Sequence, residues 1–153
     1  MDDPVIDGFV DGWDRHDGRA IAAAMTADAV YEVVPQGRIF GPDKVEEQVG
    51  FMHSLSSDFS MRQVSAVHEG DSHAVEWEMS GTNDGPFEPF HLPPSGRHFT
   101  IRGAWFLRTA EGKVQHCRAY WDFASLLQQI GARPTGEMAW QLAVWAEEAP
   151  DQG

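Results

Sequence analysis

The sequence predicts an α+β domain in which helices are followed by a meander of antiparallel strands. Before residue 60 the apolar residues recur mostly at helical spacing, with one short β-branched run between the helices. From Met61 the period changes to two and persists through four segments. Helices segregated from an antiparallel sheet define the α+β class. A strongly bent sheet wrapped around those helices would enclose a hollow, cone-like space.

The first helix is expected near the N-terminus, where an acidic cap is followed by proline. Either Asp2 or Asp3 can accept hydrogen bonds from the first turn, and Pro4 suits the first helical positions. Three apolar residues then recur four residues apart and would form one buried face: Val5, Phe9 and Trp13.

A second helix, a short strand and a third helix are expected next. Asp17 can cap a helix that runs through AIAAAM, to Met25. The run 29–34 (AVYEVV) is β-branched and aromatic, which predicts a strand that ends at Pro35. The segment KVEEQVGFMHSL then shows helical periodicity, so the third helix should cover 44–55.

Four longer strands form the second half of the predicted domain. The turn signals Gly70-Asp71 and Glu111-Gly112 join the first and the last pair, and the Gly- and Pro-rich loop GTNDGPFEPFHLPPSG joins the middle pair. The tail EMAWQLAVWAEEAPDQG suggests an additional helix. We therefore assign residues 1–135 to the domain and 136–153 to a helical extension of it. The predicted strands cover residues 61–67, 73–80, 97–109 and 114–123.

The composition narrows the expected partners and the cellular location. A formal net charge of −13 disfavours nucleic acid and anionic membranes as partners. The single cysteine, Cys117, cannot form an intrachain disulfide, which fits a reducing compartment. The sequence contains neither a signal-like apolar run at MDDPVIDGFV nor a stretch near the roughly 20 apolar residues of a membrane span. We expect a cytoplasmic protein.

The last strand carries the candidate acid/base. Asp122 shares one strand face with His116, Arg118 and Tyr120, whereas Cys117, Ala119, Trp121 and Phe123 share the other. A carboxylate against an apolar wall has its pKa raised towards neutrality, where it can both accept and return a proton. The alternative from the residues alone is that Asp122 caps the following helix, ASLLQQI.

Other polar residues are weaker candidates for the hollow. Glu76 and Glu78 share a face and could act as a pair of acids, or face solvent or a partner subunit. Arg102 could steady an enolate or form a cross-strand salt bridge. Glu32 could enter the hollow from the first strand, and His53 lies near the end of the third helix, where a structural role is also expected.

The sequence gives no sign of a metal or an organic cofactor. The seven His are scattered without the close spacing of a zinc helix or knuckle. A phosphate-binding glycine loop, a dinucleotide fingerprint and a serine nucleophile elbow are also missing from the sequence.

Three stretches resemble one known family. WDRHDGRAIAAAMTADAVYEVVPQGRIFGPDKV, VEWEMSGTNDGPF with LPPSGR, and GKVQHCRAYWDFASLLQQIG together resemble the SnoaL-like polyketide cyclases of the nuclear transport factor 2-like superfamily. The resemblance spans about residues 5–134. It implies a cone-like α+β barrel, usually a dimer packed sheet to sheet, and cofactor-independent intramolecular aldol cyclisation. Asp122, in the YWD motif, matches the family's acid/base.

The sequence departs from related families at informative positions. Epoxide hydrolases of similar fold need an Arg-x-Asp pair where this chain has Glu76-Trp77-Glu78, and ketosteroid isomerase-like members have an Asp where this chain has Val34. A His that is common in the family's GTHTG-like turn is Asn83 here. Because of these departures the resemblance does not fix the reaction. Three alternatives to aldol cyclisation stay open: epoxide opening, isomerisation, or a binding module without catalysis.

We therefore expect an enzyme that binds an apolar, oxygenated, polyketide-like intermediate. Asp122 would remove a proton next to a carbonyl and return one to the new alkoxide. The remaining residues expected to contact substrate are Phe9, Trp13, Glu32, His53, Trp77, Arg102, Trp105 and Tyr120.

Overall fold

A computed structural model describes residues 3–88 and 91–132 of the chain. Four α-helices lie in these ranges: α1 (Pro4–Asp14), α2 (Gly18–Ala23), α3 (Val45–Leu55) and α4 (Phe123–Gln129). A short 3-10 turn covers Val34–Gln36. The predicted helical extension over 136–153 and the last residues of the predicted 1–135 unit lie outside the described residues.

The helix starts follow from side-chain caps. The Asp3 carboxylate accepts hydrogen bonds from the backbone N–H groups of Val5, at 2.9 Å, and Ile6, at 3.3 Å. Asp17 accepts from Ala20 N–H at 2.9 Å, which confirms it as the start of α2. The predicted extent of α2 is wrong, because Met25 already begins the first strand. Its side chain is 3% exposed and lies in the core on the sheet.

Six strands form one curved sheet. They are β1 (Met25–Val33), β2 (Arg38–Phe40), β3 (Ser60–Glu69), β4 (Ser72–Thr82), β5 (His98–Ala110) and β6 (Lys113–Trp121), in the order β2-β1-β6-β5-β4-β3. The four later strands form the predicted meander. The three-residue strand β2 and the parallel pairing of β1 with β6 were not predicted. β2 forms a short local hairpin with β1, whereas the β1–β6 pairing joins distant parts of the chain.

Turns and bulges set the curvature of the sheet. Glu111 and Gly112 both have positive φ, 55° and 72°, as a tight hairpin turn requires. The register shifts between Gln63 and Ser65 in β3 and between Arg108 and Thr109 in β5. Each such irregularity bends a strand. The sheet thereby curves around α1, α2 and α3.

The inner face of the sheet and the helices share one core. Alternate residues of β4 and β5 are buried on that face, among them Val75, Trp77, Ile101 and Trp105. Phe9 of α1 is fully buried against them. The predicted α+β class is confirmed, as a mainly antiparallel curved sheet that does not close into a barrel. None of the described helices is long and apolar enough to cross a membrane.

Candidate functional site

A cavity of about 460 Å³ lies between the inner face of the sheet and the helices. A volume of this size suits a small organic ligand. Most of its lining is aromatic or aliphatic, and every strand of the sheet contributes to it. The lining residues are Trp13, Tyr31, Val33, Pro35, Gln36, Arg38, Phe40, Gln48, Phe51, Met52, Phe59, Met61, Trp77, Met79, Phe87, Trp105, Ala119, Trp121, Phe123, Ala124 and Leu127.

Three tryptophans expected in the hollow do line it. The ring centroid of Trp105 lies 6.4 Å from that of Trp13 and 5.7 Å from that of Trp77. Phe9 stands behind them, edge-on to Trp105 at 5.1 Å, and has no exposed surface. Phe9 is therefore a core residue that supports the wall without lining the cavity, and its contact with substrate stays a prediction.

A buried hydrogen bond fixes one part of the wall. The Trp105 indole N–H donates to the Tyr31 hydroxyl at 3.0 Å. Burial raises the pKa of Tyr31 well above its ordinary value, and the Cys117 thiol adds to that rise. The phenol therefore stays protonated, and its own O–H can donate to a second acceptor.

Two indole N–H groups of the lining lack a partner. The Nε1 atoms of Trp13 and Trp77 are buried without a hydrogen bond in the described residues. An unsatisfied buried donor costs about 1–3 kcal/mol. Each Nε1 atom has almost no accessible surface, so the indole would have to turn towards the cavity before a ligand oxygen could accept from it and recover that energy.

The polar part of the lining comes from two elements. Gln36 and Arg38 flank Gly37, whose φ of 61° turns the chain from the 3-10 turn into β2. The Arg38 guanidinium lies 5.8 Å from the centre of the Phe51 ring on α3. Gln48, three residues earlier on α3, shares a helix face with Phe51. These groups would bind a charged or carbonyl oxygen.

Asp122 lies outside the lining of this cavity, although its neighbours Trp121 and Phe123 line it. Its carboxylate is exposed and caps α4, accepting from the Ser125 N–H at 2.9 Å and the Ser125 hydroxyl at 2.7 Å. These hydrogen bonds lower the pKa of Asp122. The expected rise of its pKa against an apolar wall is therefore wrong, and the cap considered as the alternative is what the structure shows.

Three other candidate residues lie on the outer face of the sheet. Tyr120 is 42% exposed, edge-on to Phe106 at 5.7 Å. Arg102 donates from Nε to Glu78 at 3.2 Å and lies 3.7 Å from Glu76. Glu32 occupies the face of β1 opposite the cavity-lining Tyr31 and Val33. Tyr120, Arg102 and Glu32 therefore do not line this cavity, and their contact with substrate stays a prediction.

Glu78 and Glu76 form part of an ordinary surface network. Arg62 donates to Glu78 at 2.9 Å from the neighbouring strand. The bonds from Arg62 and then Arg102 lower the pKa of Glu78, so this carboxylate stays ionised. An acid pair in the cavity, as epoxide opening would need, is not formed by these residues.

His53 lies beside the cavity without lining it. Its Nε2 is 3.4 Å from the Trp13 carbonyl oxygen, and its ring stacks on His16 at 3.3 Å between centroids. Burial, followed by the proximity of His16, lowers the pKa of His53 to about 4. Its neutral ring packs against Phe59 and contacts the Trp13 backbone, and its contact with substrate stays a prediction.

The lining can donate hydrogen bonds and hold a negative charge. Among the described residues that form it there is no carboxylate, imidazole or thiol, so none of them is a ready proton acceptor. The sequence analysis missed Arg38, Gln36 and Gln48. The available signal was a cationic residue next to a turn glycine, directly after the first strand.

Comparison with known proteins agrees with this architecture. A similar solved structure is a hypothetical protein of ketosteroid isomerase-like fold from Catenulispora acidiphila, with a TM-score of 0.75 and 17% identity over 87% of this chain and 96% of that one. TsrD from Streptomyces laurentii has a TM-score of 0.72 and 21% identity over 84% of this chain and 93% of that one. IdmH, a candidate polyketide cyclase from Streptomyces antibioticus, has a TM-score of 0.73 and 20% identity over 84% of this chain and 96% of that one.

The sequence comparison shows the family directly. No curated protein matches the chain closely enough to count as a relative. The family model of the SnoaL-like polyketide cyclases matches residues 4–130, which include every described helix and strand. The chain therefore belongs to the SnoaL-like polyketide cyclase family.

Proposed function

We propose that this chain is a cofactor-independent cyclase that folds an apolar, oxygenated, polyketide-like chain in the 460 Å³ cavity and closes a ring by an intramolecular aldol reaction. The observation that carries the proposal is the lining itself. An aromatic enclosure holds hydrogen-bond donors and one arginine, Arg38, among its described residues. Such a lining matches a substrate that is mostly hydrocarbon but carries several carbonyl groups.

The chemistry requires little of the protein beyond orientation and hydrogen bonding. A 1,3-dicarbonyl segment already contains its enol at equilibrium. In the ring closure the enol carbon bonds to the distant carbonyl carbon, the enol oxygen loses its proton and becomes a ketone, and the new alkoxide gains a proton. Holding the two carbons together lowers the entropic barrier. The overall proton count is unchanged, and solvent can carry the proton.

The donors of the cavity would act on the oxygen that gains charge. Arg38 would pair with the carbonyl oxygen that becomes the alkoxide, and an indole N–H of Trp13 or Trp77, turned towards the cavity, would donate to a second carbonyl oxygen of the chain. The Arg38 guanidinium already lies over the Phe51 ring, which limits the reorganisation that it needs in the transition state. The proposal gives Asp122 no proton to transfer, because its carboxylate is exposed and bound to Ser125.

The test combines turnover with matched arginine variants. The substrate is a synthetic linear aromatic poly-β-ketone ester, with ring closure followed by chromatography and mass spectrometry. Arg38→Gln should lower kcat/KM about 10- to 100-fold, since hydrogen bonds to charged groups contribute about 1.5–3 kcal/mol. Arg19→Gln, at an exposed position on α2, is the control and should leave kcat/KM unchanged. Equal rates for both variants would contradict the role of Arg38.

A second function is favoured by one feature of the cavity. Because its described lining contains no proton acceptor, the same site would serve a non-catalytic protein that binds such compounds. Benzoylacetone, an aromatic 1,3-diketone, separates the two possibilities when used as a binding probe beside the turnover assay. Binding of benzoylacetone without any acceleration of ring closure would indicate the binding module.

We also propose that two copies of the chain pair through the outer face of the sheet. Phe106, Tyr120 and Val30 expose apolar surface there, 45%, 42% and 36% respectively. Phe106→Arg should then shift the mass measured by light scattering from dimer to monomer. Val67→Arg is the control; Val67 is 70% exposed on β3, at the far edge of the sheet. A monomeric wild-type chain would contradict the pairing.

We infer a cytoplasmic location, as expected from the sequence. Cys117 is fully buried, and burial raises the pKa of its thiol well above the ordinary value, so the thiol is unreactive. Fractionation of the source cells would test the location, and recovery of the chain outside the cytoplasm would contradict it.

A further inference from the structure

We propose that Asp3, His68 and His73 form a binding site for a divalent cation of the Zn²⁺ type, which links the start of α1 to the β3–β4 hairpin. One ligand atom from each residue lies within 4.8 Å of the other two. Separations of that size place an ion at their centre roughly 2–3 Å from each atom. This range includes the Zn–N and Zn–O distances of about 2.0–2.2 Å.

The hairpin brings the two imidazoles together. His68 and His73 are direct cross-strand partners on either side of the Gly70-Asp71 turn, although four residues separate them in sequence. Their Nδ1 atoms are 2.8 Å apart. The His73 side chain is only 2% exposed, so its ring is held by its surroundings.

A hydrogen bond from Nε2, the ring nitrogen away from the proposed ion, fixes the orientation of the His73 ring. Its Nε2 lies 3.0 Å from the Thr109 hydroxyl oxygen on β5. In the tautomer that donates from Nε2 to Thr109, Nδ1 carries a lone pair. Metal-bound histidines are commonly fixed by such a bond from the second ring nitrogen.

The carboxylate completes a set of three electron-pair donors. Asp3 uses Oδ1 to cap α1 and leaves Oδ2, which lies 3.8 Å from His73 Nδ1. In that tautomer the His68 Nδ1–H donates to the His73 Nδ1 lone pair. On binding a cation, His68 would release the Nδ1 proton and carry its proton on Nε2, so that both Nδ1 lone pairs and the Asp3 carboxylate face the ion. A cation between the three atoms would satisfy all of them. Two imidazoles and one carboxylate suit Zn²⁺ and leave a fourth position for water.

The proposed site is separate from the cavity. Along β4, His73 precedes the cavity-lining Trp77 by four residues, which is about 13 Å in an extended strand. None of its three residues lines the cavity. The ion would therefore hold the first turn of α1 against the hairpin and take no part in ring closure. Its expected effect is on stability.

The experiment is a titration of the chelator-treated full chain with Zn²⁺ in competition with a chromophoric chelator. The wild-type chain should bind one Zn²⁺ per chain. Asp3→Asn should weaken binding tenfold or more, while an Asn at this position still caps the helix. His68→Gln should weaken it by a similar or larger factor. His98→Gln, an exposed position at the start of β5, is the control and should bind as the wild type does.

A second readout separates ligation from folding. Saturating Zn²⁺ should raise the Tm of the wild-type chain and of His98→Gln, and should leave the Tm of Asp3→Asn and His68→Gln unchanged. Co²⁺ in place of Zn²⁺ should give visible absorption bands in the first two proteins only. Absence of saturable Zn²⁺ binding in the wild type, or equal binding by all four proteins, would overturn the proposal.

Discussion

Gly103 permits the observed position of the Trp77 indole, and its replacement by alanine tests whether that ring is a fixed wall of the cavity. A Cβ added at Gly103 would lie 2.4 Å from both Cη2 and Cζ2 of Trp77 and 2.8 Å from Cβ of Trp121. Ordinary contacts of this kind begin at 3.4 Å, so the indole would have to move by about 1 Å. Trp77 is 3% exposed, and the open side available to its ring is the cavity.

The loss of stability expected for Gly103→Ala follows from the cost of adding a methyl group to a packed core. An extra methyl group in a well-packed core destabilises by about 1–3 kcal/mol. For a domain of this size each kcal/mol lowers Tm by about 2–4 °C. The displaced ring would also reduce the cavity, so the affinity for benzoylacetone should fall together with stability.

Urea unfolding and a benzoylacetone titration measure the two effects on the same variant. Gly50→Ala is the matched control, because a Cβ at Gly50 of α3 meets nothing within 4 Å. That substitution should raise the free energy of unfolding by roughly 0.5–1 kcal/mol, because alanine favours the helix more than glycine does. It should leave the affinity for benzoylacetone unchanged. If Gly103→Ala were as stable as the wild type and bound the diketone equally well, the ring would not be the fixed wall described above.

Three further substitutions give separate expectations. Asp122→Asn keeps the cap of α4 and should change turnover less than threefold, whereas a loss of about 10²–10⁴ in rate would restore Asp122 as acid/base. His53 has a folded-state pKa of about 4, below its ordinary 6.5, so its contribution to stability is present above pH 6.5 and is lost as pH falls towards 4. His53→Gln should therefore flatten the acid side of the stability profile, measured by urea unfolding against pH, and His98→Gln should not. Tyr31→Phe leaves the Trp105 N–H without its acceptor and should cost about 1–3 kcal/mol in the same assay.

Local sequence rules located the helices and the long strands, although they extended α2 into the first strand. Caps such as Asp3 and Asp17 and the period of two after Met61 act over a few residues, so they can be recognised without the rest of the fold. The strand β2 and its partner arrangement could not be recognised in this way. Arg38–Phe40 forms a strand only because β1 lies beside it, and β1 in turn pairs with β6 from the other end of the chain.

The residues of the candidate site were not predicted for a different reason. Alternation along β6 correctly grouped Tyr120 with Asp122, and Ala119 with Trp121, but the chemistry of the carboxyl group drew attention to the wrong face. The apolar set is the one that lines the cavity. Ser125, three residues after Asp122, is the local sign of a helix cap. Arg38 had only the weak signal of a cationic residue beside a turn glycine, since its place in the lining depends on how the short β1–β2 hairpin lies against α3.

A crystal structure of the chain with benzoylacetone tests the central claim most directly. The account predicts the diketone inside the cavity, with one oxygen within hydrogen-bond distance of the Arg38 guanidinium or of an indole N–H of Trp13 or Trp77. A cavity filled by rearranged side chains, or a diketone bound only on the outer face of the sheet, would contradict it.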